Sequence, residues 1–274
     1  MNFEVSLKKD NKSMILKIIP LELLDSFKKL VDEDLINSLN EKPILEIPVD
    51  YFQFYTSVSS VYSSKIEGED IDFDSYFKHK FLNVKFKPDY TKKADDLYNA
   101  YEFIFENPLN FENLRRAHSI LSSNLLPKSE QGRIRNNPMF VINDKDQIEY
   151  VAAESKIVTQ EMEKLFSDIE ILLNNELSEK EVFYFASFIH LVFVKIHPFQ
   201  DGNGRTARLI EKWFLKEKIN DKAVSVPLER NYYQNLKDYY SNIKKLGLEY
   251  IELDYSKAMD FLLMTVNSLR KESK

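Results

Sequence analysis

The run Val182–Ile196 constrains this chain more than any other stretch. It is apolar almost throughout, interrupted by His190 and Lys195. A bilayer span needs about 20 apolar residues, so this run is too short to cross one and reads as a buried core helix. Ser178 followed by Glu181 supplies a capping-box pattern just ahead of it. Pro198 disfavours helical geometry at the residue before it, so the helix stops at His197.

Helical periodicity dominates the rest. The chain has 274 residues but only five Gly, which leaves few places for tight turns. Apolar stripes at i, i+3/i+4 spacing predict helices over Leu21–Leu39, Thr91–Phe105, Phe111–Leu125 and Ala152–Leu173. Val49–Ile66 is an aromatic-rich helix candidate, and Arg205–Glu217, Tyr232–Lys245 and Tyr255–Leu269 are others. One segment departs from the pattern. Met139–Ile142 and Ile148–Val151 flank the polar link Asn143-Asp-Lys-Asp-Gln147, which predicts a short β-hairpin. Such a hairpin is marginal alone and must lean on helices, where it can form a flap over a pocket.

Composition excludes several chemistries. There is no Cys, so disulfides, thiol nucleophiles and cysteine-ligated metals are ruled out. Acids exceed bases by 44 to 38, a formal charge of −6, which argues against broad nucleic-acid affinity. No Gly-x-x-x-x-Gly-Lys and no His-Glu-x-x-His occurs. Met1–Pro20 lacks the apolar core and cleavage site of a signal peptide, so the expectation is a cytoplasmic protein with no membrane partner.

The chemistry concentrates at 197–208, His-Pro-Phe-Gln-Asp-Gly-Asn-Gly-Arg-Thr-Ala-Arg. His197 sits at a helix end facing a loop. Gly202 and Gly204 tolerate positive φ and let backbone N–H groups form an anion-binding concavity. A helix begins near Arg205, and its N-terminus also favours anions. Arg205 and Arg208 share one side of its first turn. A cation there usually costs about 0.3–1 kcal/mol, so two together point to an anion that offsets them. A polyphosphate fits, because the arginine fork binds phosphate bidentately. Asp201 can hold Mg2+ together with phosphate oxygens, and His197 can serve as general base.

At these residues the chain resembles the Fic family, whose motif His-Pro-Phe-x-(Asp/Glu)-Gly-Asn-Gly-Arg-x-x-Arg it matches at every fixed position. The resemblance implies a mainly α Fic-type helical bundle with a short β-hairpin flap. It also implies a protein adenylyltransferase that moves AMP from ATP to a Ser, Thr or Tyr hydroxyl of a target protein, itself included. His197 would take the hydroxyl proton and Asp201 would bind Mg2+. Gly202, Asn203 and Gly204 would form the anion hole, Arg205 would meet the β-phosphate and Arg208 the γ-phosphate, while Phe199 anchors the loop. Gly132-x-x-Arg135 also belongs to the resemblance. Met139, Phe140, Val141 and Ile142 would align the target on the flap. Tyr232 and Tyr233 are either adenine-side residues or core aromatics. Tyr240 stands on that side where many relatives carry Asn.

Upstream, Ser63-Ser-Lys-Ile-Glu67-Gly68 fits the family's inhibitory pattern (Ser/Thr)-x-x-x-Glu-(Gly/Asn). The resemblance implies that Glu67 pairs with Arg208 and denies it to the γ-phosphate. Two other readings are removal of AMP with Glu67 positioning water, and a nucleotide-sensing binding module. The implied organisation is an N-terminal helical region 1–104 carrying the inhibitory motif, a Fic core 105–245, and a helical extension 246–274 with no appended winged helix. Homodimers are a further implication. His190 reads as a packed core residue; His79 and His118 have no identifiable partner.

Overall fold

The computed structural model describes residues 14–40, 49–86, 90–142 and 145–270. Most of Met1–Pro20 and Asn143–Asp144 of the hairpin link therefore lie outside the described residues. In chain order the helices are α1 Leu24–Leu30, α2 Glu33–Asn37, α3 Tyr51–Ile66, α4 Phe73–Leu82, α5 Lys92–Glu106 and α6 Phe111–Leu121. The strands β1 Phe140–Ile142 and β2 Ile148–Val151 follow. Then come α7 Ser155–Leu173, α8 Glu179–Ile196, α9 Asn203–Ile219, α10 Leu228–Gln234, α11 Leu236–Lys244 and α12 Met259–Asn267. The fold is mainly helical with one small sheet, as the periodicity predicts. Among the described residues no helix is long and apolar enough to cross a membrane.

Helix α8 is the axis of the core. Every residue from Val182 to Phe193 is buried, packed by α7, α9 and α12. Both halves of the capping box form: Ser178 accepts from the Glu181 N–H, and the Glu181 carboxylate accepts from the Ser178 N–H at 2.8 Å. At the other end His197 adopts φ 54°, ψ 60°. Pro198 bars it from the helix, and the left-handed conformation turns the chain sharply into the loop.

Several boundaries differ from the sequence expectation. Leu21–Leu39 splits because Val31 is extended and Asp32 caps a new helix by accepting from the Asp34 N–H. Phe111–Leu125 ends at Leu121, where the Ser122 hydroxyl donates to the His118 carbonyl. Tyr232–Lys245 breaks at Asn235, and Tyr255–Leu269 opens with a 3-10 turn before α12. Helix α4 was not foreseen. Its cap, Asp72 accepting from the Ser75 N–H, is the local signal that could have found it.

The hairpin strands pair antiparallel, Val141 opposite Tyr150. β2 is tied down: the Val151 N–H donates to the Leu248 carbonyl at 2.8 Å, and the Tyr150 hydroxyl to the Lys195 carbonyl at 2.7 Å. Among the described residues β1 pairs only with β2, and its Phe140 and Ile142 are exposed.

Helix α3 is fixed to the core through a buried carboxylate. Glu229 accepts from Tyr101 at 2.7 Å and from Ser59 of α3 at 2.9 Å, and it pairs with Lys212 at 3.3 Å. All four side chains are buried. Removing one partner of a buried pair leaves the other charge uncompensated. Glu229→Ala should therefore destabilise the fold by about 3–5 kcal/mol in equilibrium urea unfolding; a loss below about 1 kcal/mol would contradict the anchoring role.

Candidate active site

The segment after α8 is a braced loop. The His197 ring donates from Nδ1 to the Val194 carbonyl at 3.2 Å, the only direction an acceptor carbonyl allows. That leaves Nε2 as a proton acceptor. Burial depresses the His197 pKa to about 4, so the ring is neutral near pH 7. Phe199 is buried and stacks on His118 with centroids 3.6 Å apart. The His118 ring accepts the Gly132 N–H at Nδ1 (2.9 Å), so its Nε2 carries the proton and donates to the Asp201 carbonyl at 3.0 Å.

Arg135 holds the same loop from the flap side. Its backbone N–H donates to Pro198 at 2.9 Å, and its guanidinium donates to the carbonyls of His197, Asn137 and Ala153 at 2.7, 2.7 and 2.6 Å. Gly132 sits at φ +67°, where an added Cβ would lie 2.5 Å from the Arg115 carbonyl oxygen. This position therefore excludes any side chain. The Gly-x-x-Arg element is thus a brace that joins helix α6, the loop after α8 and the hairpin.

Helix α9 starts at Asn203 behind Gly202, which has φ 77°, and no side chain caps it. Its first N–H groups have no intrahelical acceptor and suit an anion. The resemblance places Asn203 in the anion hole. Its side chain is instead engaged inside the loop, accepting from the Phe199 N–H and donating to the Phe199 carbonyl, both at 2.9 Å. Any anion contact by Asn203 falls to its main chain. Asp201 is exposed beside the loop, with Oδ1 accepting from the Gly202 N–H at 2.6 Å. Among the described residues no cluster of three or more His, Asp or Glu side chains could hold a metal. A Mg2+ here would be held by Asp201 and phosphate oxygens, which its preference for few carboxylates permits.

Both motif arginines are buried and both meet carboxylates from the end of α3. Arg208 donates from Nη2 to Glu67 Oε1 at 2.6 Å and to the Ser63 carbonyl at 3.1 Å, and from Nε to the Ser63 hydroxyl at 2.9 Å. Burial pushes Glu67 upward, but Arg208 and Arg205 outweigh it, and its pKa ends below the usual carboxylate value. The Glu67 carboxylate overlies the first turn of α9: a Cβ built on Gly204 would lie 2.6 Å from Oε1. Arg205 donates from Nη2 to Glu69 at 3.2 Å, and Lys93 pairs with the same oxygen at 2.6 Å. Among the described residues the buried Arg205 Nε has no hydrogen-bond acceptor. Buried donors seldom go unpaired, so a further acceptor belongs there.

One backbone device delivers both carboxylates. Helix α3 ends in a Schellman turn. The Gly68 N–H donates to the Lys65 carbonyl at 3.0 Å and the Glu69 N–H to the Ser64 carbonyl at 3.2 Å, with Gly68 at φ +83°. The left-handed residue favours Gly or Asn, which accounts physically for the residue type after Glu67 in the pattern. Glu67 is left at the helix cap and Glu69 swings back beside Arg205.

A cavity of about 220 Å3 remains, lined by Glu67, Val141, Lys195, His197, Gly204, Arg208 and Tyr240 among others. Ligand pockets usually run to about 300–1,000 Å3, so this one is small with Glu67 in place. The structure brings Tyr240 to the cavity, its hydroxyl donating to the Ile66 carbonyl at 3.1 Å. It does not bring Tyr232 there. Tyr232 is fully buried and donates to Glu211 at 2.8 Å, a core aromatic. Tyr233 packs on Tyr62 and under Lys65, also outside the cavity lining. A larger cavity of about 1020 Å3 lies among α10, α11 and α12 but holds none of the motif residues. Sequence reading missed His118, Glu69 and the buried Lys195, whose pKa burial lowers to about 8.

Residues 108–215 match the Fic/DOC family, and the loop just described lies inside that range. The chain carries a Fic/DOC domain. It is similar in fold to a Fic family protein from Desulfovibrio desulfuricans G20, at 18% identity and TM-score 0.71, covering 91% of this chain and 72% of that one. A Fic domain-containing signaling protein from Bacteroides thetaiotaomicron VPI-5482 follows at 16% identity and TM-score 0.63, covering 90% and 93%. Fic-1 (residues 134–508) from C. elegans aligns at 16% identity and TM-score 0.61, covering 90% and 68%. No curated protein matches the sequence. At these identities the likeness concerns the fold, and that fold extends from the Fic domain over the N-terminal helices.

His118 of α6 and His197 of the loop make the Fic domain acid-sensitive. Burial lowers His118, like His197, to about 4 from the usual 6.5. As pH falls below 6.5 the unfolded chain takes up protons that the folded one refuses, so stability declines until the folded pKa near 4 is reached. For His118 the full difference is about 3 kcal/mol. His118→Gln, which keeps a donor and an acceptor, should flatten the fall in Tm between pH 6.5 and 4.5; an unchanged slope would contradict the assignment.

Proposed function

We propose that this Fic domain is a protein adenylyltransferase, moving AMP from ATP to a Ser, Thr or Tyr hydroxyl of a protein, and that the α3 terminus holds it in check. The observation that carries this reading is the pair between the buried Arg208 and the carboxylate of Glu67 at 2.6 Å, set over the first turn of α9. An arginine donor, an uncapped helix N-terminus and a glycine without a side chain converge on one carboxylate. A phosphate group has the same need for donors at the same spot.

The chemistry follows from the loop. The target oxygen attacks the α-phosphorus, the bond to the oxygen bridging to the β-phosphorus breaks, and pyrophosphate leaves. The hydroxyl proton passes to Nε2 of His197, which the hydrogen bond from Nδ1 to Val194 keeps lone-pair outward. Arg205 and the first N–H groups of α9 offset the charge on the β-phosphate, and Arg208 meets the γ-phosphate. Mg2+ on Asp201 would neutralise the phosphate oxygens. Such transfer depends mainly on positioning and charge stabilisation. The edge of β1 that no described residue pairs, with Val141 lining the cavity, suits a target segment that adds as a further strand.

The resting state is held at two points. Glu67 occupies Arg208, and Glu69 occupies Arg205 as a second carboxylate from the same turn. The lock is reversible because both carboxylates are partly exposed, 27% and 30% of their side chains. A triphosphate can displace them only by taking both arginines.

Glu67→Gly should raise self-labelling from ATP about tenfold, since a close charge pair on a buried arginine is worth about 1.4 kcal/mol. A Glu69→Ala change added to it should raise labelling further, by several-fold. His197→Ala in the Glu67→Gly background should abolish labelling while ATP still binds, as followed by calorimetry and labelled nucleotide. A Glu67→Gly protein that binds ATP and labels neither itself nor any protein would sink the transferase reading, and AMP release from a modified protein that depends on Glu67 would replace it with hydrolysis.

A further inference from the structure

Of the four hydrogen bonds that Arg208 makes, three go to Ser63 and Glu67 of the α3 terminus. The fourth runs from Nη1 to the Tyr239 hydroxyl at 3.2 Å, and it alone comes from outside the α3 terminus. Arg208 can only donate, so the Tyr239 oxygen accepts here. Its one proton must go elsewhere, and the neighbour in reach is Nε2 of His190 at 3.1 Å. With Nε2 accepting, the His190 proton resides on Nδ1 and donates to Glu211 Oε2 at 2.6 Å. The direction of every proton in this chain follows from the arginine. Glu211 ends it. Its other oxygen accepts from Tyr232 at 2.8 Å and from Thr265 at 2.9 Å. Arg208, Tyr239, His190, Glu211, Tyr232 and Thr265 are all buried to within 1% of full cover.

We infer that Tyr239, backed by His190 and Glu211, is the positioning element that holds Arg208 aimed at the terminal phosphate once Glu67 lets go. This rests on the reading of Arg208 as a γ-phosphate contact. When a triphosphate displaces the α3 carboxylate, Arg208 loses its partner on that side and needs a fixed one on the other. Tyr239 supplies it from α11, His190 from α8, and Glu211 from α9 itself, one turn beyond Arg208. Thr265 on α12 joins the same carboxylate, so the C-terminal helix is linked through four hydrogen bonds to the phosphate end of the site. The network also explains a titratable residue inside the most apolar helix of the chain: His190 is one of the few side chains able to accept and donate along one line.

The test compares ATP with ADP in the Glu67→Gly background, because only ATP carries the phosphate that Arg208 would meet. Tyr239→Phe should weaken ATP about tenfold, the size of a hydrogen bond to a charged group, while ADP affinity stays within about twofold. His190→Leu, which leaves the Tyr239 proton without an acceptor, should give the same ATP-selective loss and serves as the second variant. Equal weakening of ATP and ADP would mark a merely structural role and overturn the proposal, as would unchanged binding of both. If Glu67→Gly itself fails to favour ATP over ADP, the reading of Arg208 falls first, and the comparison shows this before Tyr239 is touched.

Discussion

A guanidinium with none of its surface exposed must be satisfied on every side, and Arg208 is that group. An unpaired buried charge is far more costly than any single contact it makes. The core gives Arg208 one acceptor, Tyr239, and leaves the opposite side open toward the helix N-terminus. In the resting fold the end of α3 fills that side with Ser63 and Glu67. On the proposed function, a phosphate would meet the same donors. Regulation and binding are on that reading two solutions to one electrostatic demand, and the residues that satisfy it here come from the end of α3 and from α11.

What makes the demand specific is the rigidity of the loop beneath it. His197 is held out of helix by Pro198, Phe199 is stacked on His118, and Arg135 gathers the carbonyls of His197, Ala153 and Asn137. These contacts fix His197 and the first turn of α9 against the cavity that both line. Preorganisation of this kind places charge-stabilising groups before any ligand arrives. The flap shares the scaffold, since Arg135 and Tyr150 tie it to the end of α8.

The fold class and the central loop were legible in the sequence because both are local. An apolar run with a cap and a following Pro defines α8, and the 197–208 spacing defines the loop. Glu67 was legible through its pattern. Glu69 was not, because its approach to Arg205 depends on a Schellman turn and spans 136 residues of sequence; a Gly followed by a carboxylate at the helix end was the only local trace. His118 was illegible for the same reason, with its partners on two distant loops. Tyr232 shows the reverse case. Its position suggested the adenine side, but a hydroxyl bonded to Glu211 and Thr265 places it in the core. The long stripes at Leu21–Leu39 and Tyr232–Lys245 hid breaks at Asp32 and Asn235, since apolar spacing carries across a short interruption without registering it.

The central claim is that Glu67 stands where a terminal phosphate would stand. Crystals of the wild type and of Glu67→Gly, each soaked with ATP, test it directly. The account predicts that the wild type keeps Arg208 on Glu67, with the γ-phosphate displaced from it, whereas the variant places the γ-phosphate on Arg208 and the α-phosphorus facing His197. A wild-type complex with Arg208 on the γ-phosphate and Glu67 undisturbed beside it would contradict the account.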